Sequence, residues 1–158
     1  MQPSNLSIKH AQLSDLPEIQ KMFVDTISHI CKADYSFEQI QVWTSSIENT
    51  ERWTQKLITK YFLIALLDNN IVGFASLENA DYLDFLYVHK DYQRQGIADL
   101  LYVEIEKEAI QRKASFLNSD VSETAKGFFE KKGFTINRPQ TLTIKGVEIG
   151  NYKMTKSL

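Results

Sequence analysis

The 158-residue chain sets 18 Lys and Arg against 20 Asp and Glu, a formal charge of −2, and holds one cysteine. That length fits one domain over residues 1–158, with a continuous core that needs no metal or disulfide support, and a lone Cys31 forms no internal bridge, which fits a reducing, cytoplasmic setting. The interspersed charge gives no reason to expect a nucleic-acid partner, no apolar run approaches the ~20 residues of a membrane span, and the N-terminus MQPSNLSIKH lacks the basic and apolar regions of a secretory leader.

In chain order, residues 6–12 alternate weakly through Leu6 and Ile8 and predict a first strand. Ser14 offers an N-cap ahead of Asp15 and Pro17, and Leu16, Ile19, Met22, Phe23, Ile27 and Ile30 keep helical spacing behind it. Cys31 follows that apolar stretch and reads as a buried structural thiol. A second helix is expected over 36–46, with Ile40 and Trp43 three apart, and a short one over 51–60. Residues 61–67 and 71–77 are β-rich and flank Asp68-Asn69-Asn70, whose asparagines tolerate positive φ, so they predict an antiparallel hairpin. A further strand spans 82–88. A helix over 96–112 carries Ile97, Leu101 and Ile105 on one stripe, and a strand follows over 114–121. Ser122 is placed to cap a helix running to about Lys132 and closed by Gly133, and strands over 134–137 and 147–155 finish the chain, joined by a loop holding Pro139 and Gly146. Strand–helix–strand over 82–121 is a right-handed crossover and implies one parallel pair within an otherwise mostly antiparallel mixed sheet, an α/β (α+β) fold with helices on both faces.

The segment with chemical content joins the 82–88 strand to the helix behind it: Gln93-Arg94-Gln95-Gly96-Ile97-Ala98. The first turn of a helix presents N–H groups and the positive end of the macrodipole. Gly96 and the small Ala98 take side-chain bulk away from those amides, and Arg94 adds a cation, so the turn suits a pyrophosphate. There is no G-x-x-x-x-G-K-(S/T) loop and no G-x-G-x-x-G after a strand. His10, His29 and His89 are scattered, and with one cysteine they indicate no metal site.

Leu86-Tyr87-Val88 followed by Gln93-x-x-Gly96-x-Ala98 resembles the acetyl-CoA signature of the GNAT N-acetyltransferase superfamily. Ser122-x-x-Ala125-x-x-Phe128-Phe129-x-x-x-Gly133-Phe134 is similar to its second conserved block. Asp34-Tyr35-Ser36, Glu38-Gln39, Trp43 and the tail Asn151-Tyr152-Lys153-Met154 resemble an uncharacterised bacterial branch.

The resemblance implies acetyl-CoA as co-substrate, with its pantetheine along the backbone of Leu86, Tyr87 and Val88. Its pyrophosphate would meet the amides of Arg94, Gln95, Gly96, Ile97 and Ala98, with Asp99 one further helix-start contact. Ser122 stands where relatives often touch the cofactor arm, and Phe128 and Phe129 pack near the thioester. It implies direct attack by a primary amine, from a small molecule or a peptide, and admits a homodimer. An amine attacks only when neutral, so a base is required; the resemblance also implies a backbone N–H near Val88 as donor to the oxyanion. Asp84, sharing strand parity with Leu86 and Val88, is the first choice for the base, a structural acceptor or substrate anchor being the other reading; Glu78 is second. Many relatives carry a thiolate-protonating tyrosine where this chain has Phe129, which has no proton to give. Either another hydroxyl serves, with Tyr152 and Ser122 the candidates and packing the other reading of Tyr152, or the thiolate leaves with help from solvent. Asp34, Tyr35, Glu38 and Trp43 form an acidic and aromatic mix suited to a cationic amine, while Trp43 and Phe37 equally fit as core fillers. The missing tyrosine also admits a second function, a non-catalytic acyl-CoA-binding or regulatory module.

Overall fold

In the computed structural model, which describes residues 5–158, two apolar clusters lie on opposite faces of one seven-stranded sheet. The leader reading of the N-terminus draws partly on residues 1–4, which lie outside the described residues. The strands are β1 (Leu6–His10), β2 (Tyr61–Leu67), β3 (Asn70–Glu78), β4 (Tyr82–Val88), β5 (Phe116–Ser122), β6 (Thr135–Ile144) and β7 (Val147–Ser157), in the order β1-β2-β3-β4-β5-β7-β6. The described helices are α1 (Leu16–Ile30), α2 (Phe37–Thr44), α3 (Thr50–Thr59), α4 (Ile97–Gln111) and α5 (Lys126–Lys131). Every pairing is antiparallel except β4 with β5.

Several local outcomes differ from the sequence expectation for identifiable reasons. Before α1, Leu13–Asp15 forms a 3-10 turn, and the Asp15 carboxylate caps it by accepting from the Gln12 N–H (2.8 Å); Ser14 is not the cap. Ser36 does cap α2, through a reciprocal pair with Gln39 (3.1 and 2.9 Å). In the β2–β3 hairpin, positive φ falls on Asp68 and Asn69, while Asn70 already opens β3. Pro139 lies within β6 rather than in a loop, because β6 is an edge strand with one unpaired side, where a missing N–H costs nothing. The final hairpin turns at Lys145 and Gly146, both at positive φ.

Helix α4 buries Ile97, Leu101, Tyr102, Ile105 and Ala109 against the sheet. Its start sits close to β3 because Gly73 carries no Cβ: one added there would lie 3.0 Å from Leu101 and 3.1 Å from Ile97. The other face holds α1, α2 and α3. There Trp53 stacks on Phe85 at 4.9 Å and Phe23 meets both edge-on. Trp53 (2 % exposed) is therefore the core tryptophan. Phe37 is 76 % exposed and does not fill the core.

Candidate active site

β4 and β5 run parallel but share one registered pair, Tyr82 with Asn118, before they part. Their joined end is pinned by Asn118 N–H to the Asp81 carbonyl (2.7 Å), Ser119 Oγ to the Leu83 carbonyl (2.7 Å) and Tyr82 Oη to Asp120 (2.8 Å). Beyond it the backbone groups of the two strands no longer meet, and a groove opens.

A cavity on the α4–α5 side, called the cofactor side after the expectation above, is lined by Cys31, Val88, Gln93, Ala98, Phe128 and Phe129. A central cavity shares Trp43, Leu86, Tyr87, Ser122 and Phe129 with it and adds Asp84 and Asn151. An outer cavity toward α3 is walled by Arg52, Trp53, Lys56, Asp120 and Ile144. Trp43 borders all three while packing, half-buried, against the α1–α3 core cluster, so it is both a groove wall and the edge of that core. Burial pushes the Tyr87 hydroxyl well above the ordinary tyrosine range, and it keeps its proton at neutral pH.

The Gln93–Ala98 turn is tied to the end of β4 by its first residue. Gln93 Nε2 donates to the Val88 carbonyl (2.7 Å), which also accepts from Thr26 Oγ1 on α1 (3.1 Å). Arg94 and Gly96 both take positive φ, +61° and +80°, and Gly96 is the N-cap of α4. Ile97 sends its side chain into the core (1 % exposed) and offers only its backbone outward, whereas Ala98 lines the cofactor-side cavity. Arg94 is exposed and forms no ion pair among the described residues. Asp99 lies in the first turn of α4, and its carboxylate pairs with Lys132 just past α5 and so braces two elements.

Ser122 ends β5, and its Oγ accepts from the Ala125 N–H (3.1 Å), capping the turn ahead of α5 rather than a long helix. Phe129 is 4 % exposed and meets Phe128 and Phe134 edge-on; α5 closes with the Phe134 N–H on the Phe129 carbonyl (3.0 Å).

Asp84 lines the central cavity, the outer one and the hollow against α3. Its strand parity is broken by a bulge: Ser76 pairs with Phe85 and Leu77 with Leu83, so Asp84 is the extra residue. Leu83, not Asp84, joins Leu86 and Val88 in the α4-side core. Asp84 forms an ion pair with Lys56 of α3, whose ammonium also lies 3.7 Å from Glu78 and 5.1 Å from the Phe85 ring centre. Glu78 lines the hollow against α3 but not the central cavity. Tyr152 is not brought to the groove. It lines neither the central cavity nor its neighbours, packs with the α4-side core, and carries Lys126 over its ring at 4.9 Å. A hydrogen bond to the Glu123 carboxylate raises its pKa.

Lys56, Gln93 and Asn151 are site residues that sequence reasoning did not assign. Gln93 stood inside the quoted motif, but its inward bond depends on where β4 ends. Lys56 belongs to a helix whose docking on the bulge no local pattern encodes. Among the described residues, no helix is long and apolar enough to cross a membrane, and no group of three or more His, Cys, Asp and Glu side chains is placed to hold a metal.

A parallel pair that splays apart beside a glycine-led helix start defines a mixed α/β fold with one groove open between two strands. Residues 31–156 match the family model described as an acetyltransferase (GNAT) domain, and the chain belongs to the GNAT N-acetyltransferase family. It is 31 % identical over 152 residues to YafP of Escherichia coli (strain K12), an uncharacterized N-acetyltransferase, covering 96 % of this chain and 95 % of that one. A GCN5-related N-acetyltransferase structure from Rhodopseudomonas palustris superimposes with TM-score 0.95 at 35 % identity, over 100 % of this chain and 99 % of the other. The PaiA N-acetyltransferase of Thermoplasma acidophilum, solved with coenzyme A, shares the fold at TM-score 0.80 and 19 % identity, over 97 % and 99 %.

Proposed function

We propose that the protein transfers acetyl from acetyl-CoA to a primary amine by direct attack, as one domain over residues 1–158. The observation that carries this reading is the groove itself. The facing edges of β4 and β5, which part beyond Tyr82 and Asn118, lead straight to a helix start held at positive φ by Gly96. The Thermoplasma neighbour with coenzyme A bound supports that choice of ligand. Leu86, Tyr87 and Val88 would take the pantetheine through their backbone, and the turn from Arg94 to Ala98 the pyrophosphate, with the Arg94 guanidinium alongside. Asp99, already neutralised by Lys132, acts by bracing the turn rather than by contact. Acetyl-CoA brings an activated carbonyl; the remaining tasks fall to this chain.

In this reading Asp84 draws in the acceptor ammonium and takes its proton, while Lys56 fixes the carboxylate and Glu78 stands behind Lys56. Glu78 is the weaker base, since it faces away from the central cavity. A backbone N–H near Val88 meets the charge that develops on the carbonyl oxygen. Phe129 has no proton for the departing thiolate. Ser122 is better placed than Tyr152 to relay one from solvent: it borders both the central and cofactor-side cavities, and its oxygen accepts from Ala125, which leaves its hydrogen to donate. Phe128 and Phe129 keep that end of the groove dry.

Coenzyme A release measured over a broad panel of primary amines tests the reading. Acceptor-dependent release is the expected result. Acetyl-CoA binding without turnover on any amine would replace the enzyme with an acyl-CoA-binding module.

A further inference from the structure

Among the described residues, one buried side-chain nitrogen or oxygen has no hydrogen-bond partner: Asn151 Oδ1. Native chains seldom leave such an atom unmet, because burying an acceptor without a donor costs more than an ordinary hydrogen bond gains. Asn151 lies on β7, directly opposite Ser122 of β5 and Gln140 of β6. The groups around it are engaged elsewhere. Gln140 Nε2 donates to Asp120 (2.9 Å), and the Tyr35 hydroxyl donates to the Gly150 carbonyl (2.7 Å) and accepts from the Glu123 N–H (2.9 Å). Tyr35 thereby clamps the residues next to Asn151 and Ser122, so the backbone there is held while the Asn151 side-chain oxygen is left unpaired.

The cavity that Asn151 borders is the central one, which it lines together with Tyr35, Trp43, Tyr87, Asp84 and Ile149; it does not line the cofactor-side cavity. An amide oxygen only accepts, so its partner must be a donor, and the partner reaches it from the acceptor end of the groove. On the β6–β7 side the walls are aromatic and aliphatic, with Trp43 edge-on to Tyr35 at 5.3 Å and Leu142 and Ile149 beside them, while the polar lining groups Ser119, Asp120 and Ser122 are already bonded to Leu83, to Tyr82 and Gln140, and to Ala125. Such walls suit an apolar body and leave a sugar's hydroxyls unpaired.

We infer that Asn151 Oδ1 receives an N–H of the acceptor amine, and that this acceptor is an alkyl- or arylalkylamine rather than a polyhydroxylated one. The inference rests on the amine-acetylation reading above and deepens it. Asn151 and Asp84 then hold one nitrogen between them, the amide fixing its direction and the carboxylate taking its proton.

The test is calorimetric titration of phenethylamine, hexylamine and glucosamine into the full-length protein loaded with coenzyme A, for the wild type, Asn151→Leu and Asn151→Asp, with coenzyme A affinity measured separately. Phenethylamine and hexylamine are expected to bind and glucosamine not to. Asn151→Leu should weaken amine binding about tenfold or more and leave coenzyme A affinity within about twofold, which also shows that the variant is folded. Asn151→Asp keeps an acceptor oxygen and should retain binding. Unchanged amine affinity in Asn151→Leu overturns the inference, as does a matching loss of coenzyme A affinity, tighter glucosamine binding, or no amine binding to the loaded wild type. Amine binding without acetyl turnover would instead overturn the enzymatic reading and leave Asn151 as an amine-binding residue.

Discussion

On the α4 side of the groove the polar groups that shape the turn are committed: Gln93 and Thr26 both donate to the Val88 carbonyl, and Asp99 is paired with Lys132. On the side walled by α2, α3 and β7 one buried polar atom is not: Asn151 Oδ1 has no hydrogen-bond partner among the described residues. The difference separates two kinds of recognition. On the proposed reading the co-substrate would be met by a turn built before it arrives, so little ordering entropy would be spent on binding. The acceptor would be met by groups whose hydrogen bonds are completed only when it is present. Asp84 stands between the two, paired with Lys56 yet facing the central cavity.

The largest expected effect breaks the prebuilt side. Gly96→Glu places an anion where the pyrophosphate is proposed to sit and should weaken acetyl-CoA binding more than about a hundredfold, since like charges at contact cost several kcal/mol. A side chain at the +80° φ of Gly96 also costs about 1–2 kcal/mol of stability. Calorimetry and a thermal melt on the same sample separate the two. Binding that survives would move the phosphate site away from this turn.

Next comes the residue between the two sides. Asp84→Asn should lower turnover about a hundredfold or more and flatten the acidic limb of the pH–rate profile, with acetyl-CoA affinity unchanged. The same change removes the closest partner of the Lys56 ammonium and should lower stability by about 1–3 kcal/mol. A profile that keeps its shape would leave Asp84 a structural partner of Lys56.

These two residues also show what the chain made legible. The turn was readable because its determinants are local: a glycine at the N-cap, a small residue two positions on, and an apolar stripe behind them lie within one stretch of sequence. The strands, α1, α4 and the single parallel pair were legible for the same reason, from periodicity and loop length. Asp84 was singled out, but its orientation was misjudged, because a bulge depends on how Ser76 and Leu77 pair across the ladder. Trp43 and Trp53 have equal claims to the core by type; only the docking of α3 on Phe85 sends one inward. Asn151 was quoted as part of a tail motif without a role, since an unmet acceptor is defined by neighbours from three strands and the α1–α2 connection. Pro139 read as a loop because its place on a sheet edge is topological, not local.

A third expectation concerns proton delivery where the two sides meet. Ser122→Ala should lower turnover about tenfold, the worth of one hydrogen bond to a charged group, with little change in the KM for acetyl-CoA. Phe129→Tyr in that background should restore it, because position 129 borders both the central and cofactor-side cavities. Rescue would mean that serine stands in for the absent phenol. A Ser122→Ala variant with full turnover would assign the proton to solvent.

The smallest effect probes why the α4 side stays fixed. Glu106 of α4 accepts from Lys156 of β7 (2.8 Å) and from the Tyr102 hydroxyl, linking the helix that carries the turn to the sheet. Partial burial pushes its pKa upward, but the bonds from Lys156 and Tyr102 outweigh that and hold it below the ordinary glutamate value. A depressed folded pKa means that the stabilisation is fully present above the unfolded value and is lost as pH falls through the folded one. Glu106→Gln should therefore cost about 1 kcal/mol at neutral pH, a modest figure because the pair is partly exposed. The melting temperatures of variant and wild type should converge as the pH drops below about 4. Acetyl-CoA affinity at neutral pH should fall with that stability if the cluster holds the start of α4 in register. Affinity that stays constant while stability falls would place the rigidity of the turn in Gln93 and Thr26 at the end of β4, and not in the far anchoring of the helix.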